Sequence, residues 1–346
     1  MAFGAGPLLL ALRLDLLSAT MTVLVAFVGW AVVRYARVQL DGEAREGAFH
    51  GLLLATLGAV LVLVQAGSLL VLLAAFWAVG AGLRRLLLFY PERAAARRAA
   101  AKFALASRAG DAVLLLAALL LWAAFGTASI GGIQAAAQAA PALPLPALVA
   151  TLLLALAAVL KTAAVPVHGW LTEVMEAPTP VSALLHAGIV NAGGFLLLRF
   201  AELVTLSPAA MAALLLLGGL SAVVGALVML TQGAAKTALA WSTVSQMGFM
   251  LLQCGLGLWA LALLHIVAHS LYKAHAFLSA GGVVAAVTAA RRPGPVAVPG
   301  FRAVGRAFGL ALLLYAAVAG GFLGLIGPKA PQALALGAIL VFGVAY

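Results

Sequence analysis

Residues 264–282 read LHIVAHSLYKAHAFLSAGG, which sets His265, His269 and Lys273 at i, i+4 and i+8 inside an otherwise apolar run. On a helix turning about 100° per residue these positions drift by roughly 40° per step, so they share one face, and Tyr272 falls within about 20° of His265. The set covers about 12 Å along the axis. Imidazole titrates near neutral pH and a buried lysine can change its charge state, so alternating them along a wet path makes a proton relay. His275 points to a flank of the same helix. A rival chemistry is metal binding, because histidines at i, i+4 can hold zinc from one helix face. The segment reads HIVAH, however, without the glutamate of HExxH, and a third ligand would have to come from His186 or Tyr272. A bis-histidine haem between two helices is a further alternative. The missing acid and the helical phasing favour the relay, and no metal site and no cofactor are expected in this chain.

Other polar groups interrupt apolar stretches. A lysine at the centre of a bilayer costs about 2.5–3.5 kcal/mol on insertion scales, so it turns to the bundle interior, a partner or water. Lys161, in LKTAAVPVHGWLTEVMEAPTP, and Lys273 meet that description. Lys236, in TQGAAKTALAWSTVSQMGF, stands at a helix start, from which a lysine can also reach the interface. His186 lies in PVSALLHAGIVNAGGF, where Ser182 and Asn191 add polarity and Gly188, Gly193 and Gly194 allow close helix packing. Glu173 and Glu176 sit on a half-helix before APTP. Lys236, Glu173, Glu176 and Tyr272 are secondary candidates for the same path. Asp111 begins a span beside Arg108, and these two form the expected structural ion pair at a helix end.

The elements that position these groups follow from composition. Of 346 residues, 66% are hydrophobic and 8% charged, and the mean hydropathy of +1.19 is that of an integral membrane protein. Runs rich in Leu, Ala and Val match spans of about 20 residues, and no alternating strands suggest a barrel, so the fold class is an all-α polytopic bundle. Spans are expected near 17 to 37, 48 to 66, 68 to 90, 103 to 125, 144 to 176, 179 to 200, 208 to 231, 236 to 257, 259 to 284, 303 to 327 and 331 to 346, about eleven in all. The stretch 144 to 176 is too long for one straight crossing, and Pro166 predicts a helix broken near Lys161 to Pro166.

The formal net charge is +11, but its basic residues lie in short loops, which speaks for topology and against a nucleic-acid partner. Arg34, Arg37 and Arg45 follow the first span, Arg93, Arg97, Arg98, Lys102 and Arg108 the third, and Arg291, Arg292, Arg302 and Arg306 the ninth. The loops after the second, fourth and eighth carry no Lys or Arg. Odd-numbered exits are then cytoplasmic and the N-terminus faces out. The single cysteine, Cys254, excludes an intrachain disulfide. The start, MAFGAGPLLLAL, lacks the basic leader of a cleavable signal. The final run of sixteen residues, PQALALGAILVFGVAY, has no closing polar segment and reads as an early end.

LKTAAVPVHGWLTEVMEAPTPVSALLHAGIVNAGGFLLLRF, ALAWSTVSQMGFMLLQ and HIVAHSLYKAHAFLSAGG occur in that order and together resemble the proton-translocating antiporter-like subunits. That family includes subunit L of respiratory complex I and the Mrp cation/proton antiporter subunits. The resemblance covers roughly residues 10 to 330. LLFYPERAAARRAAAKFALASRAGDAVLL, LLQCGLGLWALALLH and HSLYKAHAFLSAGG are most similar to the DabB-type membrane subunits of inorganic-carbon pumps. It implies that Lys161, His186, His265, His269 and Lys273 lie on a proton path through one antiporter-like domain. It further implies a bacterial inner-membrane location, a DabA-type zinc-containing partner, and no catalytic chemistry or metal in this chain. One departure stands out: complex I subunits carry a glutamate after the tryptophan of a WEL motif, and here Ala78 follows Trp77. Set against that family, the sequence is expected to be missing a first helix or two and the C-terminal helices.

Overall fold

A computed structural model describes residues 2–3, 10–174, 177–289 and 300–326. Glu176 and the span expected near 331 to 346 lie outside the described residues. Residues 1–283 form one compact unit, and residues 284–346 are grouped as a second.

Two short antiparallel strands, β1 (Ala2–Phe3) and β2 (Leu10–Ala11), precede the helices. Then come α1 (Leu16–Gln39), α2 (Glu46–Val64), α3 (Leu69–Leu87), α4 (Ala94–Phe125) and α5 (Ile130–Ala139). They are followed by α6 (Leu145–Lys161), α7 (Gly169–Glu173), α8 (Thr179–Ala187), α9 (Ala192–Arg199) and α10 (Ala201–Thr205). Last are α11 (Pro208–Met229), α12 (Ala235–Gly255), α13 (Trp259–Ala289) and, in the second unit, α14 (Phe301–Ile326).

Among the described residues seven stretches are long and apolar enough to cross a membrane: α1, α2, α3, α4, residues 179–199, α11 and 259–280. Their starts follow local chemistry. Asp15 and Ser18 cap α1 reciprocally, Asp15 Oδ1 accepting the Ser18 amide at 2.9 Å and Ser18 Oγ accepting the Asp15 amide at 2.7 Å. Ser68, Ser129 and Ser207 cap α3, α5 and α11. Helix α4 begins at Ala94, well before the expected position 103, because the alanine-rich AAARRAAAK carries strong helix propensity into the basic loop. Helix α5 was not expected at all.

The break comes where proline placed it. Helix α6 ends at Lys161, Ala163 turns left-handed at φ 53°, the Val165–Pro166 peptide is cis, and the chain resumes as α7 at Gly169. The freed backbone is satisfied in part by α11, whose Ser221 Oγ accepts the Val165 amide at 2.8 Å. The span expected as one helix from 179 to 200 is also interrupted: α8 stops at Gly188 and a 3-10 turn, Ile189–Asn191, leads into α9. Helices α11 and α12 meet backbone to backbone. A Cβ on Gly248 would lie 2.5 Å from the Ala222 nitrogen, and one on Gly225 would lie 2.5 Å from the Ser245 nitrogen. Only glycine permits that approach, and it fixes which face of α12 looks inward.

Candidate functional site

The polar residues gather into two clusters inside the bundle. The first surrounds the end of α6. Lys161 Nζ donates to Asp111 Oδ1 on α4 at 2.6 Å and lies 4.7 Å from the centre of the Phe76 ring. The two side chains are 8% and 21% exposed, so this is an ion pair shielded from bulk solvent. Gly110 makes room for it, since a Cβ there would come 3.2 Å from Lys161 Cγ. Beside the lysine is a cavity of about 30 Å³, lined by Phe76, Phe103, Ser107 and Trp170 among others, enough for a water molecule.

This corrects the expected pairing of Arg108 with Asp111. Arg108 is exposed on α4, where its long stem reaches outward, while Asp111 turns toward α6 and answers Lys161. The carboxylate opposite Lys161 therefore comes from α4. The position after Trp77 on α3 is Ala78, and Trp77 itself is exposed.

The second cluster lies between α8, α12 and α13. Lys273 is fully buried, and its Nζ donates to the Leu239 carbonyl at 3.1 Å and to Ser242 Oγ. It has no carboxylate partner among the described residues. His269 Nδ1 meets Gln246 Oε1 at 2.6 Å, and its Nε2 meets the His186 carbonyl at 3.0 Å. His186, also fully buried, shares a 3.1 Å contact between Nδ1 and Thr243 Oγ1 and stacks on Phe277 at 4.4 Å. Asn191 Nδ2 donates to Ser270 Oγ and to the Ala187 carbonyl, each at 3.0 Å. His265 stands 6.1 Å from His269 between ring centres and faces Phe249.

Three contributors were missed from the sequence: Ser242, Thr243 and Gln246 of α12. With Leu239 they fall at i, i+3, i+4 and i+7, one helix face, and that spacing in LAWSTVSQ was the available signal. Tyr272 is brought near Lys273, with the ammonium 5.5 Å from its ring centre, yet 54% of it is exposed and it stands outside the buried group. His275 is exposed and meets Ser279 Oγ at 3.3 Å on its own helix. Among the described residues no three His, Cys, Asp or Glu side chains converge to hold a metal ion.

The remaining candidates lie apart from both clusters. Glu173 pairs with Lys102 at the surface. Lys236 is half-buried at a cavity of about 340 Å³ that Gln39, Tyr90, Arg93 and Thr179 also line. There Tyr90 donates to Glu43 Oε1 at 3.0 Å, and its phenol is pushed above its ordinary pKa by burial and then by that carboxylate. At the other end of α1, Arg199 is 2% exposed and donates to Asp15 Oδ2 at 2.6 Å and to the Val64 carbonyl at 3.0 Å. Gln134 caps the Arg199 carbonyl at 2.7 Å, so one buried arginine ties α1, α2, α5 and α9 together.

The structure is a helical membrane bundle with titratable groups buried along its interior, where each must find a partner or water. The chain belongs to the NADH:quinone oxidoreductase/Mrp antiporter transmembrane family, whose model matches residues 66–322. It is 46% identical over 280 residues to the probable inorganic carbon transporter subunit DabB2 of Halothiobacillus neapolitanus, covering 81% of this chain and 51% of that protein. It is 47% identical over 269 residues to the probable inorganic carbon transporter subunit DabB of Hydrogenovibrio crunogenus, covering 78% and 52%. The Mrp complex from Dietzia sp. DQ12-45-1b contains a chain that superposes with a TM-score of 0.77 at 31% identity, covering 99% of this chain and 40% of that one. The chain thus spans about half the length of the curated relatives it matches.

Proposed function

We propose that this chain is the ion-translocating part of a membrane subunit in an energy-coupled complex that accumulates inorganic carbon as carbon dioxide or bicarbonate. The observation that carries this is the pair of lysine clusters: Lys161 against Asp111 at the broken helix, and Lys273 among the histidines and hydroxyls of α8, α12 and α13. Charge buried in an apolar bundle is expensive, so its presence supports a path for ions. The identity to two inorganic carbon transporter subunits supplies the physiological context.

In this reading protons descend their gradient through a single antiporter-like domain, by way of Lys161, His186, His265, His269 and Lys273. Lys236, Glu173, Glu176 and Tyr272 belong to its approaches. The chain holds no cofactor. A DabA-type, zinc-containing partner performs the hydration of carbon dioxide, and about eleven helices cross the bacterial inner membrane with the basic loops inside.

The test is rescue of a strain that requires high carbon dioxide by the complete operon. Lys161→Ala and Lys273→Ala in the native-length protein are each expected to abolish growth in air while leaving the subunit in the membrane. Growth of both variants at the parental rate would overturn the reading. A second reading, a cation/proton antiporter or respiratory subunit, is favoured by the superposition on the Mrp complex. Sodium-dependent proton flux in vesicles, without any need for inorganic carbon, would select it.

A further inference from the structure

His269 is held at both ring nitrogens, and the two partners differ in kind. The His186 carbonyl, 3.0 Å from Nε2, can only accept. Nε2 therefore carries a hydrogen in every state that keeps this contact. With that hydrogen fixed, a neutral ring has its lone pair on Nδ1 and needs a donor there, while a charged ring has Nδ1–H and needs an acceptor. Gln246, whose Oε1 lies 2.6 Å from Nδ1, offers either one. Its amide presents oxygen in the structure, which suits the charged ring, and presents nitrogen after a half-turn about its last torsion, which suits the neutral one. Among the described residues the titratable groups around His269 are Lys273 and His265 on α13 and His186 on α8; Ser242, Thr243, Gln246 and Phe249, which α12 turns toward the cluster, are uncharged.

We propose that Gln246 is a positioning residue for proton exchange at His269: its amide turns over with the charge of the ring, and Nδ1 is the atom that takes up and releases the proton. The exchange is one proton onto or off Nδ1, with water as the other party; neither Gln246 nor the His186 carbonyl carries it. A leucine at 246 could serve neither state, and an ionised glutamate, which only accepts, could serve only the charged one. This deepens the relay reading and rests on it for its role in transport.

The experiment is nitrogen NMR of the native-length protein in vesicles, with 15N-labelled histidine and the His269 signals identified by their loss in His269→Gln. The parent is expected to show a neutral Nε2–H tautomer that converts to the imidazolium as pH falls. Gln246→Glu is expected to raise the midpoint by about one pH unit, a tenfold change in proton affinity. Gln246→Leu is expected to lower it by about as much, because the charged ring loses the stronger, charge-assisted bond. A neutral Nδ1–H tautomer in the parent overturns the proposal, as do unmoved midpoints in both variants. The parental tautomer decides the matter even where a variant fails to fold. A protein with the expected tautomer and shifts that moves no protons would overturn the transport reading and leave this one standing.

Discussion

Lys161 and Lys273 are both buried lysines of one bundle, and they are held in opposite ways. Lys161 faces a carboxylate from another helix at 2.6 Å, so its positive charge has a local negative partner. Lys273, fully buried, faces a hydroxyl and a carbonyl, which are dipoles without net charge. The first arrangement is a pair whose members depend on each other for solvation. The second is a lone charge in a cradle of uncharged oxygens, with histidines one and two turns away on the same helix. A chain that needed lysines only for packing would not require two different solutions. In the proposed function this contrast corresponds to different work: a switchable ion pair beside the broken helix, and a relay member along α13.

The largest expected effect comes from removing one half of the pair. Asp111→Ala leaves Lys161 buried without its counter-charge, and a broken buried pair costs about 3–5 kcal/mol. This is to be read from urea or thermal unfolding of the purified native-length protein. Replacing both members, as Asp111→Leu with Lys161→Met, removes charge and counter-charge together and is expected to restore most of that stability while transport stays lost. A double variant as unstable as Asp111→Ala would show that the ion pair is not what holds this region.

The cradle of Lys273 should respond more mildly. Ser242→Ala removes one acceptor and leaves the Leu239 carbonyl, so the expected cost is about 1–3 kcal/mol in the same unfolding measurement. Ser242→Asp goes further, because it would make the second region resemble the first. A carboxylate beside Lys273 is expected to hold its proton and to slow proton flux in vesicles at least about tenfold, the equivalent of one pH unit of added affinity. Unchanged flux in that variant would remove the distinction between the two lysines.

Much of this contrast is legible in the amino-acid sequence. Hydrophobic runs reveal membrane helices because each must bury its own backbone hydrogen bonds, and Pro166 announces a break because it has no N–H to give. Lys161, His186, His269 and Lys273 stood out because polar groups are costly inside such runs. Their partners did not. Asp111 lies 50 positions from Lys161, and its neighbour Arg108 offered a plausible but wrong mate; only the packing of α4 on α6 decides between them. Gln246 and Ser242 are uncharged, so no energetic alarm marks them, and their meaning depends on α12 turning that face inward. The interruption at Gly188 was hidden for a related reason, since an apolar composition is indifferent to whether a span is one helix or two.

A third lysine calibrates what pairing is worth without burial. Lys102 pairs with Glu173, but the two side chains are 54% and 38% exposed. Water already solvates both charges, so little is lost when the contact breaks, and exposed pairs are worth about 0–1 kcal/mol. Glu173→Gln is therefore expected to lower stability by less than about 1 kcal/mol, and the difference from the parent should shrink further in high salt, which screens exposed charges. Asp111→Asn, measured beside it, should show a larger loss with far less dependence on salt, because its partner is shielded. The quantity that matters is the ratio of the two losses. If the exposed pair proves as costly to break as the buried one, burial is not what makes the Lys161 pair strong, and the difference between the two lysine sites must lie in the carboxylate alone.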